Sequence, residues 1–290
     1  MRHPSAGPLT DMVVLITGAG VGQGRSHAVT LAQRGAHIIA LDVCTQVSDS
    51  LRYPLATSSD LDQTCRLVEQ LGRRCLALKA DVRDYTTMVA ALDGALDHFD
   101  RLDGVCANAG VITFHSGGSL SITPEVFDLV VDTNLKGVFN TVCATVPHLT
   151  AAGGGSIVIT SSAAGIRGHV GYAHYVASKH GVVGLMKAFA NELAPYGIRV
   201  NTVHPTAVRD TSMSTDPTVT DLLGAQPLFR MGVSNVLPDM AIDPSSRPTA
   251  PVGSIPVADV SNAVAFLLSA ESRFITGVQL PVDAGNANRP

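Results

Sequence analysis

Short apolar runs occur at regular intervals along the chain, and stretches with helical periodicity separate them. The runs cover residues 12–17, 37–41, 75–80, 104–107, 157–160, 198–203 and 277–280. Continuous apolar runs of this kind are typical of strands that are buried on both faces. Alternating strands and helices predict an α/β fold, a doubly wound parallel sheet of about seven strands with helices on both faces.

Predicted helices cover most of the remaining chain, and two long stretches interrupt the pattern. Helices are expected from the glycine-rich turn to about residue 34, at 60–71, at about 85–99, from Thr123 through Asn134, from the Tyr175 segment to about residue 196, and at 257–269. The interruptions span about 43–59 and 206–256. Long loops in compact domains are commonly functional. We therefore expect a single domain over residues 1–290, with a lid at the first interruption and a substrate flap at the second.

Composition narrows the classes of function. The chain has 290 residues, of which 15% are charged and 46% hydrophobic. Its net charge is −4, and the sequence contains no block of like charges. This argues against a nucleic-acid partner or a polybasic membrane contact, and no apolar run approaches the length of a membrane span. The first residues lack the apolar segment of a secretory signal. Five scattered cysteines without a CxxC pair then indicate reduced thiols, a cytoplasmic location and no metal site.

A glycine-rich turn, TGAGVGQG, joins the first apolar run to the first predicted helix. It contains Gly18, Gly22, Gln23 and Gly24. Glycine permits a tight turn and a close approach of the backbone to a pyrophosphate, and the helix N-terminus adds free N–H groups and partial positive charge. Such a sequence can also be only a turn, but its position between a strand and a helix favours dinucleotide binding.

The second and third runs end in carboxylates. Asp42 lies twenty residues after Gly22, where it can accept hydrogen bonds from both ribose hydroxyls of NAD and would repel the 2′-phosphate of NADP. Arg25 is the opposing signal, because a nearby arginine can bind that phosphate. Asp81, followed by Val82, ends the third run. Its carboxylate could meet the adenine edge or cap the next helix, and the sequence favours neither.

Small or polar residues follow the later strands as well. Asn108, Ala109 and Gly110 follow the fourth strand, Ser162 the fifth and Pro205 the sixth. Ligands of open parallel sheets bind beyond the carboxyl ends of the strands. We therefore expect these positions to line one edge of the sheet, where small residues let the backbone approach a ligand.

Tyr175 and Lys179 offer proton-transfer chemistry. They are four residues apart and therefore share one face of a helix. A phenol has a reference pKa of about 10, and an ammonium beside it favours the phenolate, so the pair can exchange a proton at a carbon–oxygen centre. At this spacing alone, the two could also be unrelated surface neighbours. Asn134 lies inside another helix, where asparagine is a mediocre helix former, which suggests a polar role.

Together these motifs resemble the short-chain dehydrogenase/reductase superfamily. The resemblance rests on TGAGVGQG, Asn108-Ala109-Gly110, Asn134, and Ser162 thirteen residues before Tyr175-xxx-Lys179, and it extends from about residue 11 to 285. It implies a Rossmann-type sheet, NAD-linked interconversion of alcohols and ketones, and a homotetramer. It further implies that Tyr175 is the general acid/base, that Lys179 lowers its pKa and holds the nicotinamide ribose, that Ser162 orients the substrate oxygen, and that Asn134 holds a relay water.

A narrower resemblance concerns the mycofactocin-coupled branch, which includes actinobacterial carveol-dehydrogenase-like enzymes. It rests on GQGRSHAV, RYPLATSSDL, LVEQLGRRCLALKADVRD, AHYVASKHGVVGLMK and NTVHPT. The branch implies an NAD that does not readily leave, trapped partly by the first interruption, and an external redox carrier, mycofactocin, that re-oxidises it. The chain departs from the superfamily at Pro205-Thr206, where Pro-Gly is usual. Val208 is expected to meet the nicotinamide carboxamide with its backbone, whereas the role of Thr211 stays open.

The leading hypothesis is therefore an NAD-dependent dehydrogenase for a secondary, apolar, carveol-like alcohol. Apolar residues of the flap favour such a substrate, although core packing explains each of them about as well; they are Leu222, Leu223, Leu228, Phe229, Met231 and Val233. The first alternative is an ordinary NAD(H)-exchanging ketone or 3-ketoacyl reductase. The second is a non-catalytic NAD-binding regulatory protein, against which the intact catalytic set argues.

Overall fold

The computed structural model describes residues 7–219 and 253–288, and seven strands within them form one parallel sheet. The strands are β1 Val13–Thr17, β2 His37–Asp42, β3 Cys75–Lys79, β4 Gly104–Ala107, β5 Gly155–Thr160, β6 Ile198–Pro205 and β7 Gln279–Val282. Their order is β3-β2-β1-β4-β5-β6-β7, with every neighbouring pair parallel. The predicted α/β fold is confirmed, and the strand order reverses between β1 and β4, where doubly wound sheets bind ligands.

Helices cover both faces of this sheet. They are α1 Gly22–Gln33, α2 Ser58–Gln70, α3 Tyr85–Phe99, α4 Pro124–Val131, α5 Gly137–Ala151, α6 Ala173–Glu192 and α7 Val257–Leu268. One apolar core lies between the sheet and α3, α5 and α6, and a second lies between the sheet and α1, α2 and α7. Every residue of β1 is buried, which explains why the strands are continuous apolar runs without polar alternation.

Local capping signals set the beginnings of two helices. The Thr57 hydroxyl accepts from the Asp60 N–H at 3.2 Å, while the Asp60 carboxylate accepts from the Thr57 N–H at 3.0 Å. This reciprocal capping box starts α2 at Ser58, two residues before the expected position. Thr123 caps α4 and Pro124 occupies its first turn, as predicted.

The long helix predicted to follow Thr123 is not a continuous α-helix. A π-helical turn, Asp132–Lys136, separates α4 from α5, and the Gly137 N–H bonds to the Asp132 carbonyl five residues earlier. Asn134 lies in this widened turn. Single π-helical turns are frequently found at functional sites, and this one presents Asn134 to the residues that follow β4.

Three other boundaries differ from the sequence expectation. α6 ends at Glu192, and a 3₁₀ turn around Pro195 replaces its expected last residues, because proline has no N–H to continue the helix. β6 continues to Pro205 because β7 pairs with its last four residues. β7 itself is Gln279–Val282, two residues later than predicted.

The structure describes residues 206–219 and 253–256 of the predicted flap. Residues 206–219 are mostly irregular, with a 3₁₀ turn at Ser212–Thr215. The apolar flap residues Leu222, Leu223, Leu228, Phe229, Met231 and Val233 lie outside the described residues. No helix in the described part of the chain is long and apolar enough to cross a membrane.

Candidate active site

Two adjoining cavities lie at the carboxyl edge of the sheet. The first, of about 860 Å³, is lined by the ends of β1 to β4 and by residues 43–56. The second, of about 1040 Å³, is lined by the ends of β5 and β6 and the beginning of α6. Their shared walls make one continuous groove; the shared residues are Gln23, Asn108, Gly110, Thr211 and Met213.

The glycine-rich turn lines the first cavity. Gly18 has a φ of +67°, and a Cβ on it would lie 2.9 Å from the Cα of Ala109. A Cβ on Gly24 would overlap the carbonyl oxygen of Gly18. The side-chain oxygen of Gln23 is shielded from solvent and has no hydrogen-bond partner among the described residues. These features fit a dinucleotide. The glycines leave the backbone N–H groups free of side chains, the N-terminus of α1 carries a partial positive charge, and the Gln23 oxygen lacks a hydrogen-bond partner among the described residues.

Asp42 lies at the wall of the first cavity, and its contact with a ribose stays a prediction. Its side chain is buried at the wall of the first cavity and accepts from the N–H groups of Gly20 at 2.9 Å and Cys44 at 3.3 Å. Burial raises its pKa above the ordinary value, and these backbone bonds partly offset the rise. Arg25 bonds instead to the Gly20 and Asp60 carbonyls and to the Thr64 hydroxyl. It therefore ties α1 to α2 and is not directed at a 2′-phosphate.

Asp81 lines the first cavity with Val82 but does not cap the next helix. That cap is Asp84, whose carboxylate accepts from the Thr87 N–H at 3.1 Å. Burial acts to raise the pKa of Asp81, yet hydrogen bonds from Arg83, the shortest at 2.6 Å, hold it below the ordinary value. Of the two interpretations of Asp81, the helix cap is wrong and the adenine contact stays a prediction.

Residues 43–57 fold inward at the sheet edge. Tyr53 is buried, its hydroxyl donating to the Ile112 carbonyl at 3.0 Å and accepting from the Ile112 N–H at 2.9 Å. The Gln46 amide bonds to several backbone groups of the same segment. Arg52 donates to the Thr218 hydroxyl at 3.1 Å. This segment therefore walls the first cavity and contacts the beginning of the flap region.

Asn108, Ala109 and Gly110 extend from β4 between the two cavities. The Thr17 hydroxyl accepts from the N–H groups of Asn108 and Ala109 at 3.0 and 3.1 Å, so the end of β1 fixes the segment after β4. A Cβ on Gly110 would lie 3.2 Å from the Asn134 side-chain oxygen and 3.5 Å from the Lys179 Nζ. Glycine there keeps both polar groups close to the groove.

Tyr175, Ser162 and Lys179 meet in the second cavity. The Lys179 Nζ is 5.5 Å from the centroid of the Tyr175 ring and donates to the Thr160 carbonyl at 2.8 Å. Burial raises the pKa of Tyr175 to about 12, and a hydrogen bond with Ser162 opposes that rise. Burial also lowers the pKa of Lys179 to about 8. In the chain by itself, burial therefore outweighs the expected lowering of the Tyr175 pKa.

Asn134 is fully buried and directs its amide at the segment after β4. Its oxygen accepts from the Val111 N–H at 2.7 Å, and its nitrogen donates to the Val111 carbonyl at 2.8 Å and to the Ser178 hydroxyl at 3.2 Å. Both amide hydrogens are thereby used. The side chain fixes Val111 to α6. A relay water would therefore have to bond either to an acceptor atom of Asn134 or to a backbone group of the π-helical turn.

Two residues position the site in ways that the sequence did not predict, although His204 was expected at the edge of the sheet. His204 is buried, with Nδ1 2.8 Å from the Ser162 carbonyl and Nε2 2.8 Å from the Thr202 hydroxyl, and burial lowers its pKa to about 4. Neutral His204 therefore holds the backbone of Ser162. Tyr53 is the second, and the only signal for it was an aromatic residue within a polar insertion.

Val208 and Thr211 lie where the two cavities meet the flap region. Val208 lines the second cavity and pairs with Ile255 in a short parallel bridge. Thr211 lines both cavities, and its hydroxyl donates to the Val208 carbonyl at 3.2 Å. Thr211 thus lies at the groove, and Pro205 lines the second cavity.

This fold and this groove are those of a family of oxidoreductases. The chain belongs to the short-chain dehydrogenase family, whose model, described as "short chain dehydrogenase", matches residues 12–220.

Particular relatives narrow the class. The chain is 44% identical to (−)-trans-carveol dehydrogenase of Rhodococcus erythropolis, over 94% of this chain and 96% of that protein. It is similar to a crystal structure of carveol dehydrogenase from Mycobacterium avium in complex with NAD, with a TM-score of 0.87 and 42% identity over 98% of this chain and all of the other. It is also similar to a crystal structure of a short-chain dehydrogenase from Mycobacterium paratuberculosis bound to NAD, with a TM-score of 0.89 and 39% identity over 98% of this chain and all of the other. The chain is an NAD-dependent dehydrogenase that acts on CH–OH groups.

Proposed function

We propose that the protein oxidises an apolar, carveol-like secondary alcohol to its ketone, with Tyr175 as the general base. The observation that carries this proposal is the meeting of Tyr175, Ser162 and Lys179 in a cavity that opens onto the glycine cradle. Apolar side chains make up much of the remaining wall, which suits an apolar alcohol; they include Ile112, Phe114, Ala164, Val208, Met213 and Val219.

Two hydroxyl groups hold the reacting oxygen. Ser162 donates to the substrate oxygen, and its own backbone is fixed by His204. Tyr175 accepts the hydroxyl proton as the carbinol C–H bond breaks, and the same group returns a proton to the oxygen in the reverse direction. NAD would supply the hydride acceptor, and the positive charge of its oxidised form would favour the phenolate of Tyr175 before the hydride is transferred.

The remaining residues position the cofactor and supply charge to the site. Lys179 is anchored through Thr160 on one side, and its other donors are available to the nicotinamide ribose and to the phenolate. Asn134 fixes the position of Val111. It holds the proton-relay water through a backbone group of the π-helical turn. The cradle of Gly18, Gly22, Gln23 and Gly24 holds the pyrophosphate, and Asp42 holds the adenosine ribose.

The same geometry supports retention of NAD. The segment 43–57 is tied to the site by Tyr53 and to the flap region by Arg52. A cofactor under this lid would leave slowly. The NADH formed by turnover would then be re-oxidised in place by mycofactocin. We also propose a cytoplasmic homotetramer, for which the exposed Phe127 and Phe139 supply apolar surface on α4 and α5.

Mass spectrometry and turnover test this function together. The purified protein should carry NAD under native conditions and release it on denaturation, and carveol should reduce the bound NAD once per subunit. An empty protein that turns over carveol with added NAD would instead identify the ordinary, cofactor-exchanging dehydrogenase. Failure to reduce NAD with carveol or any other apolar secondary alcohol would contradict the proposed substrate class. Analytical ultracentrifugation checks the tetramer.

A further inference from the structure

Cys65 and Cys75 hold their sulfur atoms next to each other at one margin of the sheet. Cys65 lies in α2, and Cys75 begins β3, which is an edge strand. Both are free thiols, and the Cys75 thiol donates a hydrogen bond to the Cys65 sulfur over a distance of 2.7 Å. This separation is only slightly longer than the bond of about 2.05 Å that joins the sulfur atoms of a disulfide. The pair can therefore be joined without a large movement of the backbone.

The chain between the two cysteines is held in place. The Gly72 N–H donates to the Glu69 carbonyl at 2.8 Å, which closes the turn after α2. Gly72 has a φ of +73°, a conformation that glycine adopts at little cost. The Arg74 N–H then donates to the Nδ1 of His37 at 2.9 Å, which fixes the beginning of β3. Because this turn sets both backbones, the two sulfur atoms stay adjacent.

The two thiols differ in reactivity. The hydrogen bond from Cys75 holds the pKa of Cys65 below its ordinary value, and the same bond raises the pKa of Cys75. Burial raises the pKa of the other three cysteines, Cys44, Cys106 and Cys143. The thiolate is the nucleophilic form of cysteine, so Cys65 is the sulfur that attacks first. Cys65 is 9% exposed and Cys75 is half-buried, which lets a small oxidant approach the pair.

Metal binding does not explain the pair. A structural zinc site takes four ligands, and no group of three or more histidine, cysteine or carboxylate side chains occurs in the part of the chain that the structure describes. Oxidation of the two thiols is the chemistry that their positions allow.

We propose that Cys65 and Cys75 are a redox-modification site at which a hydroperoxide converts the two thiols into a reversible disulfide. The Cys65 thiolate attacks a peroxide oxygen, the O–O bond breaks, and Cys65 becomes a sulfenic acid. The Cys75 thiol then attacks the sulfenic sulfur and displaces water. With hydrogen peroxide, two thiols and one peroxide give one disulfide and two water molecules, and the electron pair that the sulfur atoms lose reduces the peroxide. A small thiol reverses the modification by exchange.

The disulfide would tie α2 to the sheet close to the glycine-rich turn. Thr64, the neighbour of Cys65, donates to the Ala19 carbonyl at 2.9 Å and accepts from the Arg25 Nε at 3.1 Å. The helix that would be tied therefore supports that turn, and oxidation should stabilise this side of the fold. Neither cysteine lines either cavity, so the inference does not depend on the proposed substrate.

Peptide mapping tests the site directly. The reduced holoenzyme is treated with a small molar excess of hydrogen peroxide, its remaining thiols are alkylated, and the protein is digested with trypsin. Trypsin separates the two cysteines, because it cleaves after Arg52, Arg66, Arg74 and Lys79. Peptides 53–66 and 75–79 should be recovered joined, without their two thiol hydrogens, and dithiothreitol should separate them. Recovery of the two peptides unlinked, whether alkylated or further oxidised, overturns the proposal.

Two variants and a melting curve complete the test. Cys143→Ser changes a half-buried cysteine on α5 and should form the same link as the wild type. In Cys75→Ser, Cys65 should stop at the sulfenic acid and be labelled by dimedone, and absence of that label contradicts Cys65 as the attacking sulfur. The oxidised wild type should melt roughly 5 °C above the reduced protein, with no such rise in Cys75→Ser. Equal melting temperatures for the oxidised and reduced wild type would overturn the stabilising role.

Discussion

Replacing Tyr53 by Phe tests whether residues 43–57 form a folded lid. The substitution removes one oxygen atom and keeps the buried ring. That oxygen makes two hydrogen bonds to Ile112, one to its N–H at 2.9 Å and one to its carbonyl at 3.0 Å. Tyr53 lines the first cavity and Ile112 the second, so the lost bonds join the insertion to the centre of the groove.

The magnitude follows from the state of Ile112 afterwards. The Ile112 backbone would lose the hydroxyl that bonds both its N–H and its carbonyl, and each unsatisfied buried group costs about 1–3 kcal/mol. With partial relaxation we expect a total loss of about 2–4 kcal/mol of unfolding free energy. For a domain of this size that corresponds to a fall in Tm of roughly 5–10 °C. The variant should also lose bound NAD faster, because residues 43–57, which line the first cavity, would no longer be hydrogen-bonded to Ile112.

Thermal unfolding and dialysis measure the two effects. Tyr85→Phe is the matched control, because Tyr85 is 46% exposed at the beginning of α3, and it should melt like the wild type. The NAD that remains after dialysis is quantified on the denatured protein. A Tyr53→Phe variant that melts with the control and retains NAD equally well would refute the interpretation of residues 43–57 as an integral lid.

Three further substitutions or conditions have defined outcomes. Gly24→Ala places a Cβ against the Gly18 carbonyl and should abolish NAD binding, so the purified variant should release no NAD on denaturation, whereas release of the wild-type amount would contradict the cradle. Asp42→Ala should lower the kcat/KM preference for NAD over NADP by about tenfold or more; an unchanged preference would remove Asp42 from the ribose site. Burial lowers the pKa of His27 and His204 from 6.5 to about 4, so the unfolded chain binds protons first and stability should fall as pH drops from 6.5 towards 4. Urea titrations check this, and His204→Gln should show a shallower fall.

Local patterns were sufficient for the sheet and for the position of the glycine-rich turn. The end of β2 at Asp42 and the end of β5 shortly before Ser162 could be located because continuous apolar runs stop there and polar or small residues follow. Since parallel strands finish at one edge, their final residues had to converge. Tyr175 and Lys179 followed from helical spacing together with the recognised motif set.

Other features depend on contacts that no local pattern records. Tyr53 binds a backbone unit 59 residues away, and His204 bonds to the Ser162 carbonyl 42 residues away. The π-helical turn at Asn134 arises where that side chain bonds Val111 and Ser178 instead of solvent. The cap at Asp84 rather than Asp81 is a different case. Two aspartates near a helix start compete, and the arginine between them decides the outcome by pairing with Asp81.

The most direct test of the account is the rate of NADH formation from carveol in a single turnover, for the wild type and for Tyr175→Phe. Phe preserves the ring contact with Tyr172 and removes only the proton acceptor. The account predicts a fall of about a hundredfold or more in this rate, with NAD binding unchanged. Wild-type speed in Tyr175→Phe would contradict the assignment of Tyr175 as the general base.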